Sequence, residues 1–293
     1  MTFTRRSFLQ TAAAGIAATT IDPSALPAAA EQVFQPKLGL VTYNWGRDWD
    51  VPTVIRNCET TGFGGVELRS THRHGVEITI DGQRRQEVRR QFEDSKVKLV
   101  GLGSACEYHS TDPAVLRKNI EETKAFVKLC HDVGGSGVKV RPNGLPKDVP
   151  VRQTIEQIGR SLRQVAVFAA DYNVQIRVEV HGRGTAELPL IRQMMDVADH
   201  ANAVVCWNCN PTDLNRAGLE QNFQLVGKKF GDTVHIHDLR NTQYPWKPFF
   251  TLLHSIAYNG WALLEEGKVP GDVVSAMHEN RKVFDSLVRE SKS

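Results

Sequence analysis

Beyond residue 37 the chain alternates short apolar runs with longer stretches in which apolar residues return every three or four positions. The runs are Leu38 to Tyr43, Gly65 to Leu68, Lys98 to Leu102, Gly137 to Arg141, Val174 to Glu179, Ala203 to Trp207, Thr233 to His237 and Ala262 to Glu265. Most are continuously apolar rather than alternating, the pattern of parallel strands covered on both faces. Between them lie amphipathic segments such as Ile155, Ile158, Leu162, Val165 and Phe168, one apolar stripe at helical spacing. A last helix carrying Val274, Met277, Phe284 and Leu287 closes the series. No linker or composition break interrupts it, so residues 31–293 read as one domain.

Eight strand-then-helix units predict an α/β fold, a single (β/α)8 TIM barrel. An open doubly wound sheet would use fewer strands and a glycine-rich phosphate loop after the first, and no Gly-x-Gly-x-x-Gly follows Leu38 to Tyr43. In such barrels function gathers at the carboxyl ends of the strands, so ionisable residues that end apolar runs are the site candidates.

Composition excludes several partners. With 36 Lys+Arg against 33 Asp+Glu the formal charge is +3, too little for nucleic-acid binding by bulk charge. Residues 1–30 differ from the rest: Thr4-Arg5-Arg6-Ser7-Phe8-Leu9-Gln10 precedes a mildly apolar run from Thr11 to Ile21, then Pro23 and Ala28-Ala29-Ala30. This resembles a bacterial twin-arginine signal peptide with cleavage before Glu31. The resemblance implies a precursor handled by the twin-arginine (Tat) export machinery, a periplasmic or exported mature protein, and a cofactor loaded before export. The competing reading is an alanine-rich leader whose paired arginines are coincidental. The apolar run is about half the ~20 residues that span a bilayer, so stable membrane insertion is not expected.

The five cysteines, Cys58, Cys106, Cys130, Cys206 and Cys209, are odd in number and scattered, unlike a disulfide framework. Cys206-Trp207-Asn208-Cys209 has redox spacing, but no helix opens at its first cysteine.

The strand ends collect polar groups: Tyr43 and Trp45, Glu67 and Arg69, Glu107 and His109, Lys139 and Arg141. Strand five ends Arg177-Val178-Glu179-Val180-His181, with Glu179 and His181 on one face by alternation. Strand six ends Trp207-Asn208-Cys209-Asn210, strand seven runs Val234-His235-Ile236-His237-Asp238, and strand eight ends Leu263-Leu264-Glu265-Glu266. Charges at the ends of core strands are costly to desolvate unless paired or bound to a cation, and several together point to a metal.

Glu-x-His at strand five, His-x-x-Asp at strand seven, Gly260 to Glu265 at strand eight, and Gly64-Gly65-Val66-Glu67-Leu68-Arg69 with His74-Gly75-Val76-Glu77 beyond it resemble the sugar phosphate isomerase/epimerase family of xylose isomerase-like barrels. The resemblance implies a divalent metal held by Glu179, Asn208, His235 and Glu265. The second position is usually Asp, so an amide there lowers the negative charge and the expected cation affinity. Such ligands suit Mn, Mg or Co, with Zn possible. The resemblance further implies a small-molecule sugar, cyclitol or keto-sugar substrate, with Glu179 and Glu265 facing each other across the barrel mouth as acid and base. His181, His237, Arg141, Lys139, Glu67 and His74 are the expected substrate contacts.

Blander readings stand beside these. Glu179 can be a structural partner of Arg177 or Arg141, His235 a core histidine, Glu265 a rim ion-pair member and Asn208 a capping amide. His181 and His237 can simply orient neighbours; Arg141, Lys139, Glu67 and His74 can be solvated rim residues. His131, His200, His254 and His278 fall in helical stretches and read as surface or packing residues. The leading expectation is a metal-dependent isomerase or epimerase working by proton abstraction beside a carbonyl. A leaving group on the next carbon would turn the same chemistry into a lyase or dehydratase on a keto-sugar or keto-glycoside. A nuclease is disfavoured by charge, and a non-catalytic sugar-binding barrel with a degraded metal site is the remaining alternative.

Overall fold

In the computed structural model, in which residues 34–292 are described, the alternation of runs becomes a ring of eight parallel strands, each followed by a helix. The leader expected over residues 1–30 lies outside the described residues. The barrel strands are β1 (Lys37–Val41), β2 (Gly65–Arg69), β3 (Lys98–Glu107), β4 (Gly137–Arg141), β5 (Gln175–Glu179), β6 (Ala203–Cys206), β7 (Thr233–Ile236) and β8 (Trp261–Leu264). The helices are α1 (Val51–Thr61), α2 (Gly82–Glu93), α3 (Pro113–Asp132), α4 (Val151–Ala170), α5 (Leu188–Ala198), α6 (Gly218–Val226), α7 (Trp246–Ser255) and α8 (Val273–Glu290).

Pairing runs continuously from β6 through β5, β4, β3, β2, β1 and β8 to β7. The seam between β6 and β7 is closed more lightly, by bridges at Val205 with Phe230 and Asn208 with His235. A two-residue ribbon, Asn143–Gly144 paired with Gly182–Arg183, stands on the rim above β4 and β5.

The local signals explain the elements. Asp50 caps α1 by accepting from the Thr53 N–H, and Gly62 ends it at φ 76°. In α4 the predicted stripe is buried at Ile155, Ile158, Leu162 and Val165, while Phe168 is half-buried against the core. Strand β3 extends five residues beyond the expected Leu102, because Gly103 continues the pairing and Ser104 Oγ donates to Lys139 O, neither with an apolar signature. A register shift between Gly103 and Glu107 then brings Glu107 opposite Arg141. Among the described residues no helix is long and apolar enough to cross a membrane.

Candidate active site

A cavity of about 510 Å³ opens at the carboxyl ends of the strands. Its floor is a charge cluster supplied by five strands. Glu179 is the last residue of β5, Lys139 sits in β4 and His235 in β7, while Asn208 and Glu265 lie just beyond β6 and β8. The backbone fixes these last two: His235 N–H donates to Trp207 O at 2.7 Å, and Glu265 N–H donates to Ile236 O at 2.8 Å.

Ligand-type atoms of Glu179, His235 and Glu265 all lie within 4.8 Å of one another. His235 Nδ1 is 3.3 Å from Glu265 Oε2 and 3.6 Å from Glu179 Oε1. The two glutamates therefore come together over one imidazole. Glu179 and His235 are 2% and 0% exposed, whereas Glu265 keeps 12% of its side chain open. Neither ring nitrogen of His235 makes a well-formed hydrogen bond, and Asn208 Oδ1 also lacks a partner. Buried polar atoms left unsatisfied in this way cost about 1–3 kcal/mol each. Two carboxylates and an unpartnered imidazole nitrogen around one point, with the Asn208 amide beside them, fit a divalent cation.

The Lys139 ammonium, 2% exposed, donates to Glu179 Oε2 at 2.7 Å, and Asn208 Nδ2 donates to Oε1 of the same carboxylate at 2.9 Å. Burial alone would raise the Glu179 pKa, but Lys139, His235 and His181 outweigh it and hold the group well below the usual carboxylate range. Burial opposes the charge on Lys139 too, yet Glu179, Glu265 and Glu67 keep it protonated, with its pKa raised. In Glu265, burial and the neighbouring Glu179 push the pKa up, and His235 and Lys139 prevail to lower it. His235 behaves likewise: burial disfavours the imidazolium, but Cys206, Glu265 and Glu67 raise its pKa well above the ordinary value.

The structure sorts the expected substrate contacts. His181, His237, Arg141 and Lys139 line the cavity. His181 Nδ1 donates to Asn143 Oδ1 at 2.8 Å and His237 Nδ1 to Glu265 O at 2.6 Å, so Nε2 is the ring nitrogen that these bonds leave unused. Arg141 is braced by Glu107 Oε1 at 2.7 Å. Lys139 is not a rim residue but the buried partner of Glu179, in place of the Arg177 or Arg141 pairing considered from sequence.

Two expectations are corrected. Glu67 does not reach the cavity; it is fully buried, 3.6 Å from His235 Nε2. That is where a histidine whose other nitrogen binds a metal usually finds an orienting carboxylate. His74 is also buried, with Nε2 donating to Arg69 O at 2.8 Å and Nδ1 accepting from Val76 N–H at 3.1 Å. Burial depresses its pKa to about 4, so it is a neutral clasp for the loop after β2.

Other participants were not among the expected contacts. The loop after β7 contributes Asn241, Gln243, Tyr244 and Trp246 to the cavity wall. Its anchor is Asp213, whose Oδ2 accepts from Tyr244 Oη and from Asn210 N–H, both at 2.9 Å. The aromatic pair in Tyr244-Pro245-Trp246 was the available signal, but an aspartate inside a short 3-10 turn carries none. All five cysteines are free and buried, and burial with Asp213 nearby raises the Cys209 thiol well above its usual pKa, which removes the redox reading.

The profile of the family described as Xylose isomerase-like TIM barrel matches residues 55–286. An L-ribulose 3-epimerase of Methylomonas sp. (strain DH-1) is 22% identical over 231 residues, 74% of this chain and 79% of that protein. A solved structure of L-ribulose 3-epimerase superposes with a TM-score of 0.76 at 15% identity, covering 88% of this chain and 96% of that one. A structure of the IOLI protein with a zinc atom gives a TM-score of 0.73 at 14% identity, covering 86% and 98%.

Proposed function

The chain belongs to the xylose isomerase-like TIM barrel family, and from that premise we propose that it is a sugar isomerase or epimerase acting by proton transfer beside a carbonyl, with a divalent metal held by Glu179, His235, Glu265 and Asn208. The observation that carries this reading is the convergence of Glu179, His235 and Glu265 over an unpartnered buried imidazole at the base of the cavity. The L-ribulose 3-epimerase relatives support the reaction class, and the zinc atom bound in the IOLI structure supports a metal. When bound, the cation would supply positive charge beside adjacent substrate oxygens and so favour loss of the neighbouring proton.

The protein's own groups do the rest. Glu265, partly open to the cavity, is the base: one carboxylate oxygen takes the proton while the C–H electron pair moves into the carbonyl to give an enediolate. Lys139 and Glu179, joined at 2.7 Å, form the opposite proton couple, with Glu179 kept ionised until the lysine proton is shared with it. Return of a proton to the same carbon from this side gives an epimer; return to the former carbonyl carbon gives the aldose or ketose isomer. His181, His237 and Arg141 bind hydroxyls around the ring. Residues 1–30 are proposed to direct export, which fractionation of cells expressing Arg5→Lys/Arg6→Lys would test.

Glu179→Gln and Glu265→Gln should each cut solvent-deuterium incorporation into ketoses or keto-sugars by about a hundredfold or more while circular dichroism stays native. Full exchange in both variants would remove the mechanism.

A further inference from the structure

One wall of the cavity is cationic. Arg69 at the end of β2, with Lys139 and Arg141 on β4, all line it. We propose that the substrate is a sugar acid whose carboxylate is held by Arg69 and Arg141; this names a substrate class for the sugar-isomerase reading and rests on it.

Strand register brings these side chains to one place. Arg69 pairs with Gly103 on β3, and Gly103 pairs with Lys139, so two strand spacings, about 10 Å, separate Arg69 from Lys139 at the level of the backbone. The intervening residue carries no side chain. A Cβ at Gly103 would lie 3.4 Å from Arg69 Cδ, so the arginine stem leans over β3, the strand between it and β4.

Two of the three cations are already neutralised, Lys139 by Glu179 and Arg141 by Glu107, each at 2.7 Å. Arg69 is not. Its Nη1 donates to Ser70 O at 3.2 Å and to Ser70 Oγ at 2.9 Å, and it forms no ion pair among the described residues. Glu77 lies within range of its charge but gives Oε1 to the Thr71 N–H instead. Arg69 Nε and Nη2 and Arg141 Nη1 make no hydrogen bond among the described residues, and none of these atoms is closed to solvent. The Nε and Nη2 edge of Arg69 is therefore intact, the fork that takes a carboxylate by two parallel bonds. In a sugar acid the Arg141 contact is with the carboxylate rather than with a hydroxyl.

The opposite wall argues against a phosphate. Barrels of this kind commonly hold phosphate on the loops after strands seven and eight. Here Glu266 occupies the backbone donors of those loops: its Oε2 accepts from Asp238 N–H at 3.1 Å, and its Oε1 from Gly267 and Lys268 N–H at 2.9 and 3.1 Å. Asp238, paired with Arg240, lines the cavity beside Glu266, so a phosphate there would meet two carboxylates. Negative charge is left to the Arg69 wall, whose single uncompensated charge suits a monoanion.

The test is binding rather than turnover. Calorimetry on protein purified without chelator would compare glucuronate, galacturonate and mannuronate with glucose, galactose and mannose, and with the 6-phosphates of those sugars. At least one uronate is expected to bind tenfold or more tighter than its neutral parent, and Arg69→Gln is expected to lower that ratio at least fivefold. Should that variant not fold, Arg69→Lys, which keeps the charge and loses the fork, must lower the ratio at least threefold. A ratio below ten for every pair, a ratio lowered by less than these factors, or tighter binding of a 6-phosphate than of the matching uronate overturns the inference. Uronate preference without solvent-deuterium incorporation would sink the isomerase reading alone, and incorporation without the preference would sink the sugar acid alone.

Discussion

Lys139 puts a full positive charge 2.7 Å from a carboxylate oxygen offered to a divalent cation. At an effective dielectric near 20, repulsion between such charges a few ångströms apart amounts to several kcal/mol, so the lysine lowers metal affinity. Lys139→Met is expected to tighten Mn binding at least tenfold by calorimetry. It should also lower the melting temperature of the metal-free protein, because it leaves Glu179 buried without its partner. An unchanged Kd would mean that the ammonium withdraws on binding. Asp213 makes a separate prediction. Burial raises its pKa from 3.8 to about 8, so the folded state prefers the protonated acid. Its stabilising contribution is complete below pH 4 and is lost as pH rises to 8, because the unfolded chain ionises first. At about 1.4 kcal/mol per unit, a rise of about four units makes the loss on the order of 6 kcal/mol. Asp213→Asn should flatten this decline in urea titrations at pH 4 to 8, and an unaltered slope would assign the pH dependence elsewhere. These two residues mark the limit of what the sequence makes visible. Glu179, His235 and Glu265 announce themselves as polar ends of apolar strands. Lys139 looks like a rim cation until the register shows it inside the ring, and Asp213 acquires its chemistry from burial beneath partners such as Tyr244, 31 positions away.

The strands show a similar division. Apolar continuity was enough to find all eight, because parallel strands covered on both faces need it. It missed the second half of β3, where Gly101, Gly103 and Ser104 replace large apolar residues for reasons of space. It also missed the rim ribbon, whose strands of two residues each are too short for any periodicity. Gly101 of β3 and Gly137 of β4 make room for Arg177, which fills the interior of the barrel on the amino-terminal side of Glu179. This guanidinium is fully buried and donates to Gln175 Oε1, Val100 O and Ser136 Oγ at 3.0, 3.0 and 2.9 Å. A Cβ at Gly137 would lie 2.2 Å from Arg177 Nε. Overpacking costs about 1–3 kcal/mol before any loss of the arginine's hydrogen bonds. Gly137→Ala is expected to lower unfolding free energy by about 2–3 kcal/mol in denaturant titration. The metal affinity of the folded fraction should not change, since this layer lies below the charge cluster; a changed affinity would mean that the two layers are mechanically linked.

At the scale of the whole barrel, the proposed metal-ligand set and the weakest closure coincide. Seven of the eight strand junctions are continuous ladders, but β6 and β7 meet through isolated bridges and a few backbone bonds, among them Gly231 N–H to Val205 O and Cys209 N–H to His235 O. Asn208 and His235, paired across this seam, are two of the proposed ligands; Glu179 and Glu265 belong to the strands on either side. A cation shared by all four would tie β5, β6, β7 and β8 together where the ladder is thinnest. Ligand binding to the folded state alone stabilises it by about 2.7 kcal/mol at a hundredfold excess over Kd. Because local opening is governed by local contacts, that stabilisation should be distributed unevenly. Hydrogen exchange with and without Mn is therefore expected to slow most at the amides of Cys209, Gly231 and His235, and least at the ladder between β2 and β3. A chelator should reverse the protection. Uniform slowing around the ring would mean that the ion stabilises the barrel without clamping its seam, and no slowing at Cys209 or His235 would remove Asn208 from the ligand set.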